Sequence, residues 1–162
     1  MGATTRKTGI SVMGDVPWGG HVCLFYLTRD DLLDTLVPYF KAGLDSNEFC
    51  VWAVADPLKE TEAIEALRQG IPGFDRHLER GSIDILEGHE WYLKGDQFDM
   101  QRIIGGWHAK LNFALAHGYE GLRVGANAFW MQSSHRKEFY EYEHDLEGSR
   151  QPADVGVVYL SD

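Results

Sequence analysis

Five short apolar runs, set apart by longer stretches with helical periodicity, constrain this chain more than any other feature. They are His21–Leu27 (HVCLFYL), Phe49–Ala55 (FCVWAVA), Ser82–Leu86 (SIDIL), Leu122–Phe129 (LRVGANAF) and Val155–Leu160 (VGVVYL). Each is too short for a core helix and rich in β-branched or aromatic residues, so each reads as a buried strand. After the first run, Thr28 is placed to cap a helix with Asp30 and Asp31 in its first turn. Leu33, Leu36, Val37, Phe40 and Leu44 then form one apolar stripe, interrupted by Pro38, which should bend the helix. Asp56-Pro57 is a helix start, with Ile64, Leu67 and Ile71 facing inward and Gly70 to Gly73 as the stop. Asp99 should cap a further helix, whose stripe is Met100, Ile103, Ile104, Trp107, Leu111 and Ala114, ended by Gly118. His135–Leu146 reads as a charged, exposed helix. Strictly alternating strands and helices predict an α/β fold, a three-layer parallel sheet of about five strands with helices on both faces.

The length of 162 residues suits one domain. Residues 1–18, rich in Gly, Thr and charge, read as a flexible lead-in, and residues 19–162 as the domain. A formal net charge of −10 argues against nucleic acid and anionic membrane surfaces as direct partners. No apolar run is long enough for a membrane helix. The polar start MGATTRKTG is unlike a secretory signal, so the expected location is cytoplasmic. There Cys23 and Cys50, both in apolar runs, are expected as buried thiols. The chain ends directly after a core strand, so an output domain beyond it is an expectation.

Parallel sheets bind ligands beyond the carboxyl ends of their strands. A phosphate loop there would need GxxxxGK[ST]. The segment after the first strand is instead Tyr26-Leu27-Thr28-Arg29-Asp30-Asp31, without glycine and with two carboxylates. Gly125, Ala126 and Asn127 stand where a nucleotide hydrolase would place a metal-binding Asp. No GxGxxG, Ser–His–Asp pattern or nucleophile elbow is present. The expectation is a protein that is not an enzyme and has no cofactor. On the first strand His21, Cys23 and Phe25 share one face by alternation. Two such ligands could take part in a metal site, but closed sites use three or four, so a core histidine and a buried thiol are the favoured reading. Trp91 and Tyr92, in a predicted loop (Gly88 to Gln97) beside His89, are equally a pocket wall or a hydrophobic plug. Phe129 and Trp130, ending the fourth strand, divide between packing and ligand contact. Arg123, inside an apolar strand, must be paired, and a structural salt bridge is favoured over anion binding. Glu138, Glu141, Glu143, Asp145 and Glu147 form a solvated face.

The segments GGHVCLFY, LLDTLVPYFKAGLDSNEFCVWAV, EWYLKGDQFD and GYEGLRVGANAFW resemble, in order and over roughly residues 14–160, the MEDS family. This is the sensory domain of methanogens, methylotrophs and DcmR-type regulators. The resemblance implies a RecA/KaiC-like core that lacks the P-loop. It also implies sensing of simple hydrocarbon derivatives, such as methylated or halogenated molecules, by a domain found alone or joined to histidine kinases or DNA-binding regulators. It makes His21 and Cys23 the suspected ligand contacts, with Phe25 and Tyr26 beside them. Trp91 and Tyr92 match the family's Trp-Tyr pair, and Arg123 and Trp130 its Arg and Trp on the fourth strand. One departure is Asn127, a neutral amide where relatives usually carry an acid.

The expectation is therefore a non-catalytic sensor with a ligand-binding set of His21, Cys23, Phe25, Tyr26, Trp91, Tyr92, Arg123, Asn127 and Trp130. Aromatic walls would supply apolar contact, and His21 and Asn127 would orient a polar atom. The expected partners are a small molecule, a histidine kinase or regulator domain, and a second copy in a homodimer. Three rival readings are a metal or haem sensor using His21 and Cys23, a divergent nucleotide hydrolase, and a pure interaction module.

Overall fold

The computed structural model describes residues 5–11, 13–17, 21–25, 28–55, 58–95, 97–127 and 156–161, with residues 17, 21–25, 127 and 156–161 described by their backbone alone. In chain order the elements are β1 (Thr5–Lys7), β2 (Asp15–Pro17), β3 (His21–Phe25), α1 (Arg29–Asp45), β4 (Phe49–Val54), α2 (Glu60–Gly70) and α3 (Phe74–Glu79). They continue with β5 (Ile83–Glu87), α4 (Gly88–Tyr92), β6 (Leu93–Lys94), β7 (Gln97–Phe98), α5 (Met100–Ala116), β8 (Leu122–Asn127) and β9 (Gly156–Ser161). The class is α/β with parallel strands. The main sheet runs in the order β3-β9-β8-β4-β5. All four of its pairings are parallel.

Local chemistry explains where α1 starts. Thr28 Oγ1 accepts from the Asp31 amide at 3.1 Å, and the Asp31 carboxylate accepts from the Thr28 amide at 2.9 Å. This reciprocal box satisfies two donors that a helix start leaves open. The helix continues through Pro38 to Asp45. Its Leu32, Leu36 and Phe40 pack on Cys50, Trp52 and Val54, with Leu67 of α2 and Phe74 of α3 in the same cluster. The alternate residues of β4 and β8, namely Val51, Ala53, Val124 and Ala126, face the other way. There they meet Ile103, Trp107, Leu111 and Ala114 of α5. β4 is thus buried on both faces at every position, as a central parallel strand must be. No helix among the described residues is long and apolar enough to cross a membrane.

Two stretches differ from the sequence expectation. The lead-in contains an antiparallel hairpin, β1 paired with β2, docked by the buried Arg6. The expected loop from Gly88 to Gln97 holds the one-turn helix α4 and the small β6–β7 hairpin. Asp56 and Pro57, the expected start of α2, lie outside the described residues, as do Phe129 and the predicted helix His135–Leu146.

Two glycines test the packing in opposite directions. A Cβ on Gly125 would lie 2.7 Å from Phe40 Cζ and 3.1 Å from Leu36 Cδ2, whereas one on Gly105 would meet nothing within 4 Å. Gly125→Ala is therefore expected to destabilise by about 1–3 kcal/mol through overpacking. Gly105→Ala, inside a helix, should stabilise by about 0.5–1 kcal/mol. Urea unfolding of the two variants checks both signs.

Candidate functional site

Because the strands are parallel, Phe25, Ser161, Asn127, Val54 and Glu87 all end on one edge of the sheet. β4 continues through α2 and α3 to β5 on one side, while β8 has β9 on its other side. The order thus reverses between β4 and β8, and such a switch point opens a crevice beyond the strand ends. The pairings place Cys23 level with Tyr159 and Ala126, and Leu24 level with Leu160 and Asn127. His21 lies lower, level with Val157 and Val124. β3 and β8 are two strand spacings apart, roughly 10 Å. The backbone therefore brings Cys23, Phe25 and Asn127 to one part of the carboxyl edge, with His21 one pleat further in. Tyr26 and Trp130 lie outside the described residues.

Trp91 and Tyr92 are not brought to that place. They follow β5, the opposite edge strand, four spacings or about 19 Å from β3. Tyr92 is fully buried, and its ring centroid lies 6.5 Å from that of Trp107. Trp91 packs on Trp107 with ring centroids 4.7 Å apart and planes tilted by 49°, and presses on Gly106, where a Cβ would lie 2.8 Å from the indole. Arg102 donates to the Trp91 carbonyl at 2.8 Å, and the Lys110 ammonium lies 5.5 Å from the Trp91 ring centroid. The pair is a plug between α4 and α5. Where side chains are described at the carboxyl edge, a cleft of about 580 Å³ opens beyond β4 and β5. Its lining includes Val54, Ala55, Leu58, Lys59, Glu87 and His89, a mixed aliphatic and charged wall. Gly88 makes this corner possible, since a Cβ there would lie 2.9 Å from the Val54 carbonyl oxygen. Among the described residues no group of three or more His, Cys, Asp or Glu is placed to hold a metal ion.

Arg123 belongs to the other end of the sheet. Its side chain is fully buried and forks onto Glu48, with Nε at 2.7 Å and Nη2 at 3.1 Å. Nη1 donates to the Tyr39 carbonyl at 2.6 Å and the Thr8 carbonyl at 3.3 Å, and Nη2 also donates to the Lys7 carbonyl. The Tyr39 ring lies 4.7 Å below the guanidinium, and its hydroxyl donates to the Val124 carbonyl at 2.8 Å. Arg6 completes the cluster, with Nη2 3.1 Å from Glu48 and Nη1 donating to the Leu122 carbonyl at 3.2 Å. Of the two sequence readings of Arg123, the geometry is that of the salt bridge. Sequence reasoning missed Glu48 and Arg6. The available signal was an acid directly before an all-apolar strand, a natural counter-ion for an Arg in another strand.

In this cluster burial pushes the Cys50 thiol up from 9 to about 12 and the Tyr39 phenol up from 10 to about 12. The folded chain then keeps two protons that the unfolded chain releases, so the stabilisation is complete below about pH 9 and is lost as pH rises toward 12. The melting temperature is expected to fall steadily above about pH 9. Cys50→Ala combined with Tyr39→Phe should flatten that fall relative to the parent.

These features define a class, a parallel α/β domain with a strand-order reversal, whose first helix starts in a capping box closed by the chain's own carboxylate. The sequence profile of MEDS, the MEthanogen/methylotroph, DcmR Sensory domain, matches residues 20–157, and the chain belongs to that family. Among solved structures it is similar to a KaiC-like protein from the hyperthermophilic archaeon Pyrococcus horikoshii. The TM-score is 0.65 at 14% identity, over 99% of this chain and 72% of that one. None of the curated proteins matches the chain.

Proposed function

We propose that this chain is a non-catalytic sensory domain that binds a small hydrocarbon derivative, of the methylated or halogenated one-carbon type. The ligand sits beyond the carboxyl ends of β3, β9 and β8, by Cys23, Phe25 and Asn127, with His21 behind them; Tyr26 and Trp130 are proposed contacts from the family resemblance alone. Binding passes to a histidine kinase or transcription regulator in the cytoplasm. Membership of a sensory-domain family supports the role. The observation that carries the choice of ligand class is the start of α1. In a nucleotide-type sheet, the helix after the first strand offers its amides to phosphate. Here Thr28 Oγ1 accepts from the Asp31 amide, and the Asp31 carboxylate closes the capping box on the Thr28 amide. A polyphosphate would meet the carboxylates of Asp30 and Asp31, while the neighbouring cation, Arg29, is paired with Glu62 at 3.2 Å. A small molecule of little charge meets no such repulsion.

Thermal denaturation with dichloromethane, methanol and methylamine as probes tests this reading. At 100 times the dissociation constant a bound probe contributes roughly 2.7 kcal/mol. That corresponds to a rise of roughly 5–10 °C at this chain length. One or more probes should produce it, and His21→Ala and Cys23→Ala should abolish it while the unliganded proteins still melt cooperatively. Magnesium ATP should produce no rise. A rise with ATP alone, lost in Asp31→Lys or not, would contradict the proposal.

A further inference from the structure

What α5 shows to solvent sets it apart from the other helices. Its seven exposed residues include no ionisable side chain, whereas five of the six exposed residues of α1 are charged. In a chain with 25 acids, the 17 residues of α5 contain no Asp or Glu at all. The outer face of a helix on a soluble domain is ordinarily charged or polar. Here its centre line holds Gly105, Ala109, Asn112 and Ala116, at helical spacing, with Phe113 and Leu115 flanking it on opposite sides. Phe113 is 43% exposed and Leu115 44%, two of the three large apolar side chains left exposed among the described residues. The cations of the helix turn aside from this face. Arg102 donates to the Trp91 carbonyl at 2.8 Å, and Lys110 donates to Asp84 at 3.2 Å.

Charge decides what can cover such a face. The chain carries a net charge of −10. A basic partner would be drawn to the exposed carboxylates of α1, namely Asp30, Asp31, Asp34 and Asp45. A second copy brings the same negative charge, and two copies repel wherever acidic faces meet. Through α5 they touch without setting one carboxylate against another. Small residues on the centre line let the two helices approach closely, while Phe113 and Leu115 supply apolar area on either side. A two-fold axis running across the helices sets them antiparallel, so each positive amino end lies by a negative carboxyl end. The midpoint of the exposed line falls at Ala109, which then meets its own counterpart.

We infer that the outer face of α5 is the self-association surface of this chain, an antiparallel two-fold contact of α5 on α5 centred at Ala109. The contact is about 25 Å of one helix from each copy, less than the roughly 800 Å² per partner of a standard interface. The dimer is therefore weak and forms with concentration.

Sedimentation velocity of the whole chain at about 5 μM and about 500 μM tests this surface. The parent should move from one copy to two, twice the chain's 18.3 kDa. Ala109→Glu and Leu115→Glu, both at exposed positions, should weaken association at least ten-fold and melt as cooperatively as the parent. Thr61→Glu, an equal added charge on exposed α2, should leave it within two-fold. Ala109→Cys should give a disulfide-linked dimer on mild oxidation, absent from the parent. A parent that stays monomeric at the higher concentration would overturn the inference. So would a dimer that survives both α5 substitutions, or one weakened as much by Thr61→Glu, since net charge alone would then be the cause.

Discussion

Glu48 is the point on which the amino end of the domain is assembled. It lies directly before β4, yet its carboxylate reaches Arg123 of β8 and Arg6 of β1. Through Arg123 it also fixes the end of α1, because the Tyr39 carbonyl receives the same guanidinium. α1 comes close enough only because residue 43 is glycine: a Cβ there would lie 2.5 Å from Arg123 Cδ and 2.9 Å from Cys50 Sγ. Buried ion pairs of this kind add little net stability compared with apolar packing, but losing one partner strands the other. The cluster ties β4, β8, α1 and the hairpin together at this end of the sheet.

The two ends of the sheet have different work. The amino end is closed by charges that satisfy one another, with Tyr39 and Cys50 held protonated among them. The carboxyl end is where the chain reverses its strand order and where β3, β9 and β8 end side by side. α1 joins the two ends. It starts at the carboxyl edge with the Thr28–Asp31 box and finishes at the Arg123 cluster. The fold resembles that of a KaiC-like protein, and its first helix starts with the carboxylates of Asp30 and Asp31.

Most of the frame was legible in the sequence. Short apolar runs gave β4, β5 and β8 to within a residue or two, because a strand buried on both faces needs an unbroken apolar run. The stripes on α1 and α5, and their caps Thr28 and Asp99, were equally plain. The hairpin was not. Thr5-Arg6-Lys7 has no apolar residue, and its burial depends on a carboxylate more than forty positions away. The short helix α4 was hidden for a similar reason, since five residues carry no periodicity. Trp91 and Tyr92 could be wall or plug from the sequence alone. In the fold Trp91 packs against Gly106 and Trp107 of α5, a contact no sequence pattern announced. Arg123 was legible as needing a partner, but which acid answered it was a matter of three-dimensional placement.

Crystals soaked in dibromomethane give the most direct test of the sensory account, because bromine is located by its anomalous scattering. The account predicts a bromine peak beyond the carboxyl ends of β3 and β8, beside Cys23 and Asn127. A peak only elsewhere, as in the cleft by His89, would contradict it.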